Sequence, residues 1–225
     1  MDRNEHLLMT NAPMPLSPSD LPWLVETTPL PETVVDSDLP GWERKVPDLK
    51  RRADLSRCFR DGDGRVDPSE VPDTVELLEQ RDPLPDAFTV MDGLLLVTGE
   101  VKEVIEGLDP GRHQFVPVRV TDKDGTPIEK DWHVLLITHR QDALITERSD
   151  VRSSDPFGRG GTFLLAIGGP VALDLGKLDQ SHLWRERRLQ GGRTLFMSGK
   201  LQAALAERGL RFLPQHRTYP ASSTP

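Results

Sequence analysis

From residue 86 onward the apolar positions fall into short runs bounded by Gly, Asp or Pro. Examples are "FTVMDGLLLVT" from Phe88, "HQFVPVRV" from His113, "DWHVLLIT" from Asp131, "TFLLAIG" from Thr162, "VALDL" from Val171 and "RTLFMS" from Arg193. Runs of this length, rich in β-branched and apolar residues, predict strands. "TDKDGTP", between the second and third runs, carries the Asp-Gly of a hairpin turn. Two segments change period. In "GEVKEVIEGL" the apolar residues Val101, Val104, Ile105 and Leu108 share one helical stripe, and in "GKLQAALAERGL" Leu201, Ala204, Leu205 and Leu210 do the same, with Gly209 as the stop. Each helix follows an apolar strand through a hydroxyl residue, Thr98 or Ser198, placed to cap it. The pattern predicts an α+β domain over residues 86–213, a mostly antiparallel sheet with two short amphipathic helices on one face.

Upstream the texture is different, with 12 of the 20 prolines lying before residue 86. Each proline removes a backbone donor and biases its predecessor to extended geometry, so residues 1–50 are read as a proline-rich arm without a long helix or a central strand. Trp23 and Trp42 are the large apolar groups with which such an arm would pack against the domain. Val75, Leu78 and an acidic first turn in "PDTVELLEQ" predict a short helix over 72–80. The division expected is therefore an N-terminal extension over 1–85, the α+β domain over 86–213 and a tail over 214–225.

Composition narrows the function. A chain of 225 residues can bury a core, and its 36% hydrophobic and 28% charged content suits a globular protein. No run approaches the roughly 18 to 20 apolar residues of a membrane span. The N-terminus has acidic residues and prolines where a secretion signal needs a basic and then an apolar run, so a cytoplasmic protein without membrane partners is expected. Cys58 is the single cysteine, which leaves no intramolecular disulfide and no multi-cysteine zinc site. A net charge of −8 and pI near 5.3 disfavour nucleic acid and favour a basic partner.

One stretch invites a calcium reading. In "FRDGDGRVDPSE", Asp61, Asp63, Asp67 and Glu70 fall at ligand positions of a helix–loop–helix calcium loop, but Phe59 stands where the first carboxylate belongs. The competing reading is an Asp-Gly turn. His133 and His139 would share a sheet face in an extended strand, about 20 Å apart at roughly 3.3 Å per residue, too far to share a metal. No H-E-x-x-H, G-x-S-x-G or Walker loop occurs. The expectation is no catalytic residues, no metal and no cofactor.

The stretch from "LLLVTGEVKEVIEGLDPGRHQFVPVRV" through "DWHVLLI", with the closing "HLWRERRLQGGRTLFMSGKLQAALAERGLRF", resembles a known family. It is similar to the eleventh numbered family of immunity proteins of bacterial polymorphic toxin systems, first catalogued as a domain of unknown function. The resemblance rests on Val97-Thr98 at a helix start, Gly111 through Val118, the turn Asp122 through Gly125, and Phe196 through Phe212; it covers about residues 85–213. Gly99 and Gly199 stand where that family commonly has an acidic residue. The resemblance implies a non-enzymatic antidote whose partner is a cognate toxin in the cytoplasm of the producing cell.

Its contact surface is expected in "TERSDVRSSDPFGRGG", residues 146–161, read as a long surface loop. Glu147, Asp150 and Asp155 would face a basic partner, Phe157 would anchor and Arg159 would make a bidentate contact. The alternatives are a calcium-responsive module built on the loop at 59–70, or a small enzyme with a dispersed site drawn from His133, Glu147 and Asp150.

Overall fold

The computed structural model describes residues 22–26, 35–62, 64–79, 83–90, 93–155, 161–166, 169–190 and 194–220. In chain order the elements are β1 (Trp23–Glu26), β2 (Ser37–Asp38), α1 (Trp42–Lys45), α2 (Leu49–Asp61), β3 (Thr74–Leu77), β4 (Ala87–Thr89), β5 (Leu95–Thr98) and α3 (Gly99–Leu108). They continue with β6 (Gln114–Thr121), β7 (Trp132–Leu136), β8 (Arg140–Gln141), β9 (Val151–Ser153), β10 (Phe163–Leu165) and β11 (Ala172–Leu173). The chain closes with β12 (Leu183–Glu186), β13 (Thr194–Met197), α4 (Gly199–Glu207), β14 (Gln215–Arg217) and β15 (Tyr219–Pro220). The class is α+β and the pairing mostly antiparallel.

The strands form two main sheets instead of one. A six-stranded sheet has the order β2-β3-β6-β7-β5-β4, and a five-stranded sheet the order β14-β1-β13-β12-β8. Among the described strands, the parallel pairs are β3 with β6, β12 with β8 and the small pair β11 with β15. β5 and β7 are buried at every residue, so alternate side chains feed opposite faces and both faces need a cover. On one face Leu96, Val134 and Leu136 pack with Leu55 and Phe59 of α2. On the other, Leu95, Val97 and Leu135 pack with Val101 and Ile105 of α3, Leu201 and Leu205 of α4, and Leu183, Leu195 and Met197 of the second sheet. Helices α3 and α4 thus join the two sheets, while α2 closes the far side of the first.

The twin strand-to-helix units match closely. Thr98 (φ −73°, ψ 161°) and Ser198 (φ −71°, ψ 156°) each accept the amide three residues on, from Val101 and Leu201, at 3.4 and 3.1 Å. The expected hairpin is present: Asp122 Oδ1 accepts the amides of Asp124 (2.9 Å) and Thr126 (2.8 Å), and β6 pairs antiparallel with β7.

Four expectations change. Residues 74–77 form strand β3 and not part of a helix over 72–80, because Val75 and Leu77 are buried in alternation while Leu78, which the helix needs inside, is 47% exposed. Residues 23–26 form a central strand, β1, between β14 and β13. Four residues free of proline suffice, and Pro22 sits at the strand's start, where the missing donor is tolerated. The boundary expected at residue 85 falls inside the six-stranded sheet, which takes β2 and β3 from before it. The described part of the expected loop, residues 146–155, is not plain loop, since it opens on a 3-10 turn at Thr146–Arg148 and continues into β9. Trp42 is buried at 6% exposure, its indole N–H donating to Glu70 O at 2.8 Å, and Trp23 packs half-buried against the second core.

Candidate functional site

Strand β9 carries the expected contact residues. It pairs antiparallel with β10, Ser153 opposite Phe163 and Val151 opposite Leu165, while Phe163 turns its own amide and carbonyl to Arg188 O and Gln190 N. β10 is therefore held on both sides and β9 forms the outer edge. Glu147 is exposed in the 3-10 turn Thr146–Arg148, and its own amide and the Thr146 hydroxyl (2.9 Å) hold its carboxyl below the usual value. Asp150 is exposed immediately before β9, its amide donating to Pro170 O and its carbonyl accepting from Ala166, both at 2.9 Å. Asp155 is half-buried at the ribbon's end, its carbonyl accepting the Ser153 hydroxyl at 2.9 Å. Phe157 and Arg159 lie outside the described residues. The three described carboxylates flank one short strand, in a segment with ordered backbone bonds.

The dispersed alternative does not assemble. His133 sits under α3, 3.1 Å from Lys102 Nζ and edge-on to Phe115, where burial and then Lys102 hold it below its ordinary pKa. No described contact joins it to Glu147 or Asp150. His139 lies past the end of β7, not in one strand with His133.

The calcium-like stretch is divided among structural tasks. α2 runs through Asp61 and is closed by Gly62 at φ 70° in the left-handed region. Phe59 is 2% exposed in the core. Asp67 caps a 3-10 turn by accepting the Ser69 amide, and Glu70 is held by both ends of the Arg51 guanidinium at 2.7 and 2.5 Å. Asp61 accepts Arg140 at its carbonyl (2.5 Å) and faces the buried Arg185, which burial lowers to about 10 against the opposing pull of Asp61. Asp63 lies outside the described residues. Among the described residues no group of three His, Cys, Asp or Glu side chains could hold a metal.

A polar joint that the sequence does not announce ties α3 to the second sheet. Asp109, 2% exposed at the end of α3, accepts the amides of His182 (2.8 Å) and Leu183 (2.9 Å), with His113 3.6 Å away. Burial pushes its pKa up, but His113 and those two amides together hold it below the usual carboxylate value. Beside it, Asp179 Oδ2 meets His139 Nε2 at 2.9 Å and Arg112 at 3.5 Å. The Ser198 hydroxyl accepts the Leu201 amide at 3.1 Å and also hydrogen-bonds Nδ1 of His182 at 2.7 Å. A cavity of about 310 Å³ opens there, lined in part by Pro22, Leu178, Trp184, His182, Ser198 and Lys200. His139 and His182 are lowered chiefly by burial. The members lie far apart along the chain, which is why no local pattern marks the joint.

The model of the Imm11 immunity protein family matches residues 26–215. The chain belongs to that family. The comparison with curated proteins gives no match. The Imm11 match begins at Glu26 in β1 and ends at Gln215 in β14, strands that pair with one another in the five-stranded sheet. It therefore takes in the whole six-stranded sheet, β8, β12 and β13 of the five-stranded one and the helices α1 to α4, and reaches well upstream of the stretch from residue 85 that carries the resemblance in the sequence.

Proposed function

We propose that this Imm11 protein is an antidote that binds a cognate toxin in the cytoplasm of the producing cell and silences it by occupancy, without catalysis. The observation that carries the reading is the family match over residues 26–215. Charge supports it: at −8 the chain suits a basic partner such as the cleft of a toxin that handles nucleic acid or nucleotides, and opposite charge speeds association more than it deepens the bound state.

The contact surface proposed is the β9 ribbon, with Glu147, Asp150 and Asp155 for basic groups, Phe157 as the anchor and Arg159 for a bidentate contact. Its support is that Glu147 and Asp150 are exposed while the backbone beneath them is fixed by hydrogen bonds, so little ordering entropy is lost on binding. The test is a triple variant, Glu147→Lys, Asp150→Lys and Phe157→Ala, expressed with the toxin. Protection is expected to fail while the melting temperature stays within a few degrees of the parent, since Glu147 and Asp150 are exposed. Full protection by the triple variant would move the interface elsewhere.

A further inference from the structure

The twin strand-to-helix units differ in what stands against the helix start. In the first, Thr98 lies opposite Trp132, and Gly99 N–H donates to the carbonyl of the residue before it, Asp131, at 2.7 Å. The Asp131 carboxylate lies against the same turn, since a first side-chain carbon at Gly99 would stand 2.6 Å from its Oδ2. A helix start stabilises negative charge through its amides and its dipole, so the chain places a carboxylate of its own where α3 favours one. In the second unit Leu183 lies opposite Met197 and Ser198 N–H donates to His182 O at 2.9 Å, which puts Ser181 in the place of Asp131. The Ser181 hydroxyl donates to Asp179 and accepts from Gln141 Nε2 at 2.9 Å. The amides of Gly199 and Lys200 have no acceptor among the described residues, and both residues line the cavity of about 310 Å³. Asp179 is the one carboxylate on that lining, and it is engaged: one oxygen accepts the Ser181 amide and hydroxyl, the other meets His139 and Arg112.

The lining supplies both halves of a complement. Lys200 is exposed at the rim without a carboxylate partner among the described residues, and its charge reaches His182, whose pKa burial lowers first and Lys200 lowers further. Trp184, 2% exposed, borders the cavity with an indole N–H that meets no acceptor among the described residues. A buried donor is ordinarily met, and the open space beside the ring is where its acceptor can enter. Pro22, Leu175 and Leu178 add an apolar wall. We infer that the cavity is a binding site for a carboxylate carried on an apolar group, whose oxygens take at α4 the place that Asp131 takes at α3. One unpaired cation beside two helix amides and an indole N–H suits a single negative charge better than the two of a phosphate. The volume stands at the small end of ligand sites, roughly 300 to 1,000 Å³, and admits a short aliphatic acid or a terminal residue with its side chain. The inference does not rest on the antidote reading.

The experiment follows the N–H resonances of the isotope-labelled full-length protein by NMR as hexanoate is added, with hexanamide and inorganic phosphate as separate probes. Hexanoate is expected to move the amides of Gly199 and Lys200 and the indole of Trp184 saturably in the millimolar range, as befits a ligand of few atoms. Gly99, whose amide is already held by Asp131, is the internal control and is expected to stay in place. Hexanamide, which lacks the charge, is expected to bind at least about tenfold more weakly. Lys200→Gln is expected to weaken hexanoate severalfold and Lys200→Arg to retain it; the side chain is exposed, so both variants keep the fold. A short peptide ending in leucine with a free carboxylate distinguishes the source: tighter binding than hexanoate assigns the site to a chain terminus, weaker binding to a free acid. Four results would overturn the inference: no saturable movement at Gly199 and Lys200, equal binding of hexanamide, tighter binding of phosphate than of hexanoate, or unchanged affinity in Lys200→Gln.

Discussion

Ser198 does two things that Thr98 does only by half. Both cap a helix, and removing either hydroxyl is expected to cost about 1 kcal/mol. Ser198 also holds the ring of His182 at 2.7 Å, whereas the Thr98 cap is the longer one at 3.4 Å. Urea unfolding of Ser198→Ala and Thr98→Ala should therefore rank Ser198→Ala as the more damaging, and equal midpoints would contradict the tie to His182. Gln114 gives a second residue-scale prediction. Its amide accepts Val66 N–H at 3.0 Å and donates to Val66 O at 2.8 Å, binding the segment after α2 to the sheet as a strand would. Gln114→Leu leaves two buried backbone groups unpaired, with an expected loss of about 2 kcal/mol in the same assay. The capping hydroxyls were legible in the sequence because a cap and its amide lie three residues apart. Gln114 and Asp109 were not, because their partners stand 48 and more than 70 residues away.

Among elements, the helix reading of 72–80 failed where two periods competed over few residues. Val75 and Leu78 fit a helix and Val75 and Leu77 fit a strand, and pairing with β6 decides in favour of the strand. β1 was hidden by its proline-rich flanks, and α2 by a charged sequence whose apolar face is little more than Leu55 and Phe59. The joint at the end of α3 predicts a pH response. His139 and His182 are held below their ordinary value in the folded protein, so the unfolded chain takes up protons first as pH falls. The stability linked to them is complete above about pH 6.5 and declines as pH drops from there through the lowered folded values. Asp109 and Asp179 are also lowered, so their contribution persists until pH falls below the ordinary carboxylate range and is lost through their own lower values. Urea midpoints between about pH 8 and pH 3 should fall in two stages, and His139→Asn/His182→Gln should shrink the first to the share left by His133, whose pKa is also lowered by burial. A parent profile level from about pH 7 to pH 5 would contradict the buried-histidine account.

At the scale of the molecule the sequence conveyed class and pairing sense but not the division into two sheets. Runs such as Leu95–Thr98 and Trp132–Leu136 are apolar on both faces, which says that each strand is covered twice without saying by what. The cover is α2 on one side and α3, α4 and the second sheet on the other, contacts set by long-range packing and not by local pattern. The candidate contact surface was legible as a charged stretch, while its anchoring by β9 and β10 was not, since only three residues of each strand pair. The acidic balance of the chain predicts association with a basic toxin that weakens as salt rises.

Calorimetric titration of the protein with a purified candidate toxin domain, taken from whichever open reading frame neighbours its gene, tests the central claim most directly. The account predicts a saturable complex of one antidote per toxin, weaker at high salt, with toxin activity lost in proportion to the complex formed. A toxin that takes up no antidote and stays fully active at saturating concentration would contradict it.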